Sequence, residues 1–172
     1  MSVLDIILYP DRKLKTKSKS VPEVDDNIRK LLVDMAETMY EAPGVGLAAP
    51  QVGRNVRAIV VDTTSSTTEE EEGSGLLHLI NPVIIESSGE QIGEEGCLSV
   101  PGFVANVKRK KNLKIGALDL EGNHITLETT DLLARVLQHE IDHLDGILFF
   151  ERLGRLKKEL LLKKINKAFE NV

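Results

Sequence analysis

Residues 132–144 read LLARVLQHEIDHL and combine helical periodicity with several titratable side chains. At about 100° per residue, the apolar side chains of this segment cover roughly half of a helix circumference. His139 and His143 fall at one edge of the apolar arc, whereas Glu140 falls near its middle and faces the core. Because an unpaired buried carboxylate is costly, the segment predicts a compensating group beside Glu140, such as a metal with bound water.

The two histidines of this segment have the spacing of metal ligands. His139 and His143 are four residues apart, so they project from one face of the helix and can hold one metal ion. The same spacing also fits two exposed or hydrogen-bonded histidines without a metal. The inward-facing Glu140 favours the metal interpretation.

A catalytic metal site usually takes three protein ligands and leaves one position for water, so a third ligand is expected elsewhere. The candidates are Cys97, His78, His124 and several carboxylates. Cys97 is favoured because a thiolate binds zinc or ferrous iron strongly and because it sits in a glycine-containing segment that we expect between strands. On the residues alone, a buried cysteine without a metal is the alternative.

Two further helices are predicted from apolar spacing. One covers residues 25–42, with Asp25 or Asp26 as its cap, and the other covers residues 156–169. The apolar stripe of the last helix, which we expect to pack against the body of the domain, consists of Leu156, Leu160, Leu161, Ile165 and Phe169. The helix at residues 132–144 begins after a cap at Thr129, Thr130 or Asp131 and is closed by Asp145 and Gly146.

Strands are predicted at residues 56–62, 77–86, 113–119 and 124–128, with a hairpin turn at Gly122 and Asn123. Residues 44–51 are expected to form a tight non-helical segment. Residues 63–75 are polar and acidic, which is typical of a surface loop. The pattern predicts an α+β fold with a largely antiparallel sheet.

Composition limits the classes of function. The chain has 172 residues, of which 41% are hydrophobic, and this suits a single domain over residues 1–172. A net charge of −5 predicts no basic surface for nucleic acid, so a DNA substrate is not expected. Neither a membrane span nor a signal peptide is visible, and the single cysteine excludes an intrachain disulfide. These features predict a soluble protein of the bacterial cytoplasm.

Three segments together carry a family resemblance. They are GVGLAAPQ at residues 44–51, EGCLS at residues 95–99 and QHEIDH at residues 138–143. In this order and separation they resemble the signature segments of the peptide deformylase family, and the resemblance extends over residues 6–149. It implies an α+β fold in which antiparallel β-sheets surround a central metal-binding helix, with an additional N-terminal helix and a C-terminal helix.

The resemblance also implies a chemistry. Cys97, His139 and His143 would bind one divalent ion, natively Fe²⁺, although Zn²⁺, Ni²⁺ or Co²⁺ can occupy such a site. A metal-bound water would attack the formyl carbon of an N-terminal formylmethionine, with Glu140 as general base and acid. Donors to the oxyanion would be the side-chain amide of Gln51 and the backbone N–H of Leu98. Formate and a free N-terminus would result.

The substrate residues implied by the resemblance are Val45, Gly46, Glu95 and Gly96, which would line or support the cleft. Leu132 and Val136, beside His139 on the helix, are expected in the methionine pocket. Val104 stands where some members carry an arginine near the peptide. The expected partners are N-formylmethionyl nascent peptides, met at the ribosome, and the protein is expected to be a monomer.

Two other functions compete with this interpretation. Zinc endopeptidases also use two histidines and a glutamate on one helix, but residues 144–148 supply no downstream histidine ligand. A non-catalytic module of the same fold could dock on the translation machinery through its lysine-rich last helix. The intact set of Gln51, Cys97, His139, Glu140 and His143 argues against that module.

Overall fold

The computed structural model describes residues 2–64 and 75–170. Within these residues there are three α-helices: α1 (Asp26–Glu41), α2 (Asp131–Leu144) and α3 (Arg155–Glu170). The strands of the same residues are β1 (Gly46–Ala48), β2 (Ala58–Val61), β3 (Leu77–Ser88), β4 (Gln91–Cys97), β5 (Val100–Arg109), β6 (Asn112–Leu118) and β7 (His124–Thr130). This arrangement confirms the predicted α+β class.

The strands form two antiparallel sheets. Five strands pair in the order β1-β2-β3-β6-β7, and β4 pairs with β5 in a separate hairpin. The predicted turn between β6 and β7 is present, because Gly122 has a φ of 82° and its N–H donates to the carbonyl of Asp119.

The larger sheet is covered by a helix on each face. Successive side chains of a strand point to opposite faces, so Ile59 and Val61 of β2 join the core beside α2. Ala58 and Val60 of the same strand join the core beside α1. The hairpin β4-β5 is bonded to another side of α2 through Arg135 and Gln138, so antiparallel strands surround this central helix, as the family resemblance implies.

The helix starts resolve the alternatives for capping. Asp25 caps α1, since its carboxylate accepts the backbone N–H of Ile28 at 2.9 Å. Thr130 is the N-cap residue of α2, yet its hydroxyl donates to Asn112 Oδ1 at 2.9 Å instead of capping the helix. Asp145 follows the last residue of α2, as predicted.

The prediction for the segment around Cys97 was wrong. Cys97 is the last residue of β4, not part of a segment between strands, and β4 and β5 were both missing from the predicted set. The two glycines and two glutamates of β4 mask its strand character, and pairing with β5 provides the stabilisation that local propensity lacks. Residues 44–51 also contain more regular structure than predicted, namely β1 and the start of a 3-10 helix at Ala49–Val52.

The predicted apolar stripe of α3 is correct only in part. Ile165 is fully buried, and Leu161 and Phe169 pack around the cluster that contains Phe149 and Phe150. Leu156 and Leu160 are 69% and 52% exposed. Helical spacing identifies an apolar face but does not show how much of it a neighbouring element covers.

The acidic segment predicted as a surface loop falls at residues 63–75, of which residues 65–74 lie outside the described part of the chain. In the part that is described, no helix is long and apolar enough to cross a membrane.

Candidate metal centre

Helix α2 brings two imidazole nitrogens together on one face. His139 Nε2 and His143 Nε2 lie 3.2 Å apart, as expected for residues one helical turn apart. His143 is fully buried, and burial together with the positive charges of His139 and Arg109 lowers its pKa well below the usual value. A histidine in this state is neutral, which is the form that binds a metal.

Cys97 completes the cluster from the end of β4. Its Sγ lies 3.4 Å from His143 Nε2, and the ligand atoms of Cys97, His139 and His143 all lie within 4.8 Å of one another. A tetrahedral ion with metal–nitrogen and metal–sulfur bonds of about 2.1 and 2.3 Å requires separations of roughly 3.4 Å for N···N and 3.6 Å for N···S. The separations of 3.2 Å between the two histidines and 3.4 Å between Cys97 and His143 are close to these values.

His139 is held on its other side by a buried carboxylate. Its Nδ1 lies 2.9 Å from Glu95 Oε1, so the Nε2 atom faces the cluster. Burial alone lowers the pKa of His139, but hydrogen bonds to Cys97 and Glu95 and the charge of Glu140 raise it well above the usual value. The surroundings of His139 therefore favour a positive charge, which a proton or a metal ion can supply.

Glu95 is fixed by two arginines. Arg109 donates from Nη2 to Oε1 at 2.8 Å and from Nε to Oε2 at 2.9 Å, and Arg135 donates from Nη1 to Oε2 at 2.5 Å. Burial raises the pKa of Glu95, but the hydrogen bonds and charges of Arg109 and His139 lower it to about 2. Glu95 is therefore ionised, and it accepts a hydrogen bond from His139.

Two polar residues of α2, Gln138 and Asp142, are buried as well. Asp142 accepts hydrogen bonds from Arg109 Nη1 at 2.6 Å and from Arg152 at 2.7 and 2.9 Å. Gln138 bonds with both its amide nitrogen and its carbonyl oxygen to the backbone of Lys110, next to the end of β5. The contacts of Gln138 with Lys110 and of Asp142 with Arg109 attach α2 to the β4-β5 hairpin.

Glu140 faces the core, as its position in the apolar arc predicts, and is 2% exposed. Its Oε1 lies 3.9 Å from His143 Nε2. Burial raises the pKa of Glu140 to about 7, although the positive charges of His139 and Arg109 lower it. A carboxylate with a pKa near 7 can both accept and return a proton at neutral pH.

Gln51 is oriented toward the same cluster. Its Oε1 accepts the backbone N–H of Ala48 at 3.0 Å, which fixes the amide, and its Nε2 lies 3.5 Å from Cys97 Sγ and 3.1 Å from Ser99 Oγ. The side-chain amide therefore presents N–H donors beside the candidate metal ligands. Gln51 is 1% exposed, so water competes little for these donors.

A cavity of about 710 Å³ opens onto these side chains. The residues predicted from the sequence that line it are Val45, Gly46, Gln51, Glu95, Gly96, Cys97, Leu98, Leu132, Val136, His139 and Glu140. His143 lies behind them, fully buried. The two other histidines considered as a third ligand are not part of the cluster of Cys97, His139 and His143. His78 lies in β3, and His124 is an exposed residue of β7.

Sequence reasoning missed the arginines. Arg109, Arg135 and Arg152 hold the carboxylates around the candidate metal ligands, but none of them stands out by spacing or by neighbouring residues. Ser99, which contacts Gln51, belongs to a segment recognised by resemblance but had no assigned role. The sequence predicts burial only for the Glu140 carboxylate, whereas these arginines bind Glu95 and Asp142, so no signal in the sequence pointed to them.

Comparison with known proteins identifies a family. A family model described as polypeptide deformylase matches residues 3–159. The peptide deformylase of Thermodesulfovibrio yellowstonii is 51% identical over 164 residues, covering 95% of this chain and 97% of that protein. The peptide deformylase of Neisseria meningitidis serogroup C is 48% identical over 167 residues, covering 97% of this chain and 96% of that protein.

Solved structures give the same result. The crystal structure of peptide deformylase from Ehrlichia chaffeensis in complex with actinonin matches with a TM-score of 0.89 at 40% identity, covering 98% of both chains. The peptide deformylase from Thermus thermophilus matches with a TM-score of 0.86 at 43% identity, covering 96% of this chain and 94% of that chain. The chain therefore belongs to the polypeptide deformylase family and is an enzyme of that family.

Proposed function

We propose that the chain hydrolyses the formyl amide at the N-terminal formylmethionine of nascent polypeptides and releases formate. The observation that carries the proposal is the convergence of Cys97 Sγ and the Nε2 atoms of His139 and His143 beside the buried carboxylate of Glu140. This convergence lies at a cavity large enough for a side chain and a short peptide.

Cys97, His139 and His143 would hold one divalent ion, which we propose to be Fe²⁺ in the native enzyme, with Zn²⁺, Ni²⁺ or Co²⁺ able to replace it. One soft thiolate and two imidazoles suit all of these ions. When bound, the ion acts as a Lewis acid that lowers the pKa of water and polarises the formyl carbonyl.

Glu140 is the proposed general base and acid. It takes a proton from the attacking water as the bond from oxygen to the formyl carbon forms. When the bond from carbon to nitrogen breaks, Glu140 returns that proton to the departing amine. The buried position of Glu140 and its pKa of about 7 support both transfers at neutral pH.

The oxyanion formed during attack needs hydrogen-bond donors fixed in advance. We assign this role to the side-chain amide of Gln51 and the backbone N–H of Leu98. The hydrogen bond from Ala48 holds the amide of Gln51 with its nitrogen toward Cys97. Leu98 follows Cys97 in the tight turn between β4 and β5 and lines the same cavity.

The substrate peptide is proposed to lie along β1. This strand is at an edge of the five-stranded sheet, and Val45 and Gly46 line the cavity there, so a peptide can add its backbone as a further strand. Glu95 and Gly96 support the opposite wall, and we place the methionine side chain against Leu132 and Val136 of α2. Val104, 54% exposed, offers no charge to the following residues.

Gly46 has a second role that a substitution can test. A Cβ at this position would lie 2.8 Å from Glu140 Oε2 and 2.9 Å from its Cδ, so Gly46→Ala must displace the carboxylate. Because a displacement of about 1 Å can cost roughly 100-fold in rate, we expect kcat to fall by about that factor with metal content unchanged. Steady-state kinetics and a metal assay check this.

The matched control is Gly154→Ala, since a Cβ at Gly154 meets no atom within 4 Å. Its kcat should equal that of the unmodified enzyme. A Gly46→Ala enzyme with unchanged kcat would show that the Glu140 carboxylate need not stay where it lies.

The proposed reaction is tested by assaying the free amino terminus and the formate released from formyl-Met-Ala-Ser. The control is the same amine assay on acetyl-Met-Ala-Ser, whose hydrolysis would give acetate. We expect a free amine from the formyl peptide alone, since the acetyl group adds a methyl at the reacting carbon. Cleavage inside a longer peptide without formate release would support an endopeptidase. Bound metal with no reaction on either peptide would support a binding module.

We further propose that residues 1–172 act as one catalytic domain and that the enzyme works as a monomer on nascent chains at the ribosome, in the bacterial cytoplasm. In support, all proposed ligands and donors come from a single chain and line or adjoin one cavity. Sedimentation of the active enzyme at assay concentration tests the monomer.

A further inference from the structure

Arg135 lies on α2, one helical turn before His139, and its side chain is 6% exposed. Its Nη1 donates to Glu95 Oε2 at 2.5 Å, to the carbonyl of Val107 at 2.9 Å and to that of Gly93 at 3.2 Å. Gly93 and Val107 are paired across β4 and β5. The guanidinium therefore bonds to one pair of facing residues, one on each strand of the hairpin, and also to the Glu95 carboxylate.

The carboxylate of Glu95 has two partners on each oxygen. Oε1 accepts from Arg109 Nη2 and bonds with His139 Nδ1, and Oε2 accepts from Arg109 Nε and Arg135 Nη1. Arg135 and His139, one turn apart on α2, thus hold opposite oxygens of one carboxylate. Without Arg135, Oε2 would keep only the N–H of Arg109 Nε, so the position of the carboxylate beside His139 would depend on Arg109 alone.

Gly93 leaves the space in which the guanidinium of Arg135 lies. A Cβ on Gly93 would be 3.1 Å from each of Cζ, Nε and Nη2 of Arg135. Arg135 cannot easily move away, because its hydrogen bonds to Glu95 and to two backbone carbonyls fix it. The absence of a side chain at Gly93 therefore provides the space that the Arg135 guanidinium occupies.

We propose that Arg135, seated against Gly93, is a positioning residue of the metal centre that acts through Glu95 to hold His139 in its metal-binding orientation. The inference rests on the proposed function, since it takes His139 as a metal ligand. Groups that orient a metal-binding histidine through its second nitrogen typically affect metal affinity by 10–100-fold. Arg135 acts one contact further away, so its effect belongs at the lower end of that range.

The test loads the enzyme with Co²⁺ and measures the rate of metal release to a chelator together with the visible absorption of the cobalt site. The variants are Arg135→Leu, Arg135→Lys, Gly93→Ala and the double variant. The matched control is Arg29→Leu, because Arg29 also bonds two backbone carbonyls and one carboxylate, but in α1 on the opposite face of the sheet.

Arg135→Leu should release cobalt about tenfold faster, with an altered cobalt spectrum. Arg135→Lys should fall between this variant and the unmodified enzyme, since one ammonium can still reach Oε2. Gly93→Ala should also accelerate release, but should add nothing in the Arg135→Leu background. Arg29→Leu should change neither the release rate nor the spectrum, whatever it does to stability.

Unchanged release and spectrum in Arg135→Leu would overturn the inference, as would an undiminished effect of Gly93→Ala in the Arg135→Leu background. If Arg135→Leu does not fold, the inference is tested with Arg135→Lys and Gly93→Ala. It would be overturned if both variants released cobalt at the rate of the unmodified enzyme. Failure of the unmodified enzyme to bind one equivalent of cobalt would instead overturn the proposed metal site, and this inference with it.

Discussion

Glu140→Gln should reduce kcat about a thousandfold or more while leaving the metal bound. Glutamine has nearly the same shape as glutamate but cannot accept the proton of the attacking water, and general base catalysis contributes about 10²–10⁴-fold. Glu140 does not belong to the cluster of Cys97, His139 and His143, so the ion should stay in place. Formate release under saturating substrate and a metal assay on the same preparation measure the two effects.

Glu94→Gln is the control for charge in the cavity. Glu94 lines the same cavity but is exposed, so its removal should leave kcat within about twofold of the unmodified value, as is usual for a surface group outside the reaction. Undiminished deformylation by the Glu140→Gln enzyme would remove Glu140 from the mechanism. Loss of the metal from this variant would mean that Glu140 holds the ion instead of moving a proton.

Arg109→Met should lower the free energy of unfolding by about 3–5 kcal/mol, the typical cost of removing one partner from a buried ion pair. Arg109 is 6% exposed and is bonded to both Glu95 and Asp142, at 2.6–2.9 Å. Methionine retains an unbranched chain but leaves two buried carboxylates with fewer cations. Denaturant unfolding of the metal-free protein measures the change.

Lys108→Gln is the matched control for Arg109→Met. Lys108 precedes Arg109 in β5, is 61% exposed and pairs with Glu90 at 3.1 Å. An exposed pair of this kind contributes about 0–1 kcal/mol, so the control should unfold almost as the unmodified protein does. Equal stability of both variants would mean that solvent or other cations compensate Glu95 and Asp142.

The helices were predictable from the sequence because their packing repeats along the chain. Leu32, Met35 and Met39 of α1 follow the helical period and are all fully buried. The inward position of Glu140 follows from the same reasoning applied to α2. Local periodicity gives the face of a helix, and here it also locates the carboxylate at the centre of the proposed chemistry.

The hairpin β4-β5 was not predictable in this way. Gly93, Glu94, Glu95 and Gly96 are poor strand formers, and their conformation depends on pairing with residues 104–107 of β5. The same limit explains the missing arginines. A single sequence shows that Glu95 and Asp142 need partners once they are buried, but contacts such as Arg109 to Asp142 join residues 33 positions apart.

The sequence also did not predict where a side chain lies close to the backbone of a glycine. Gly46 is expected by resemblance to bind the peptide, yet its missing Cβ also makes room for the Glu140 carboxylate. Likewise Gly93 makes room for Arg135. A glycine in a strand indicates a close approach, but only the fold identifies the approaching group.

The most direct measurement of the metal-dependent mechanism is an anaerobic titration of the metal-free enzyme with Fe²⁺, recording formate release from formyl-Met-Ala-Ser after each addition. A single site formed by Cys97, His139 and His143 predicts no release without metal, and a linear rise that ends at one equivalent. Release that is already complete in the metal-free enzyme, or no release after one equivalent has bound, would contradict the account.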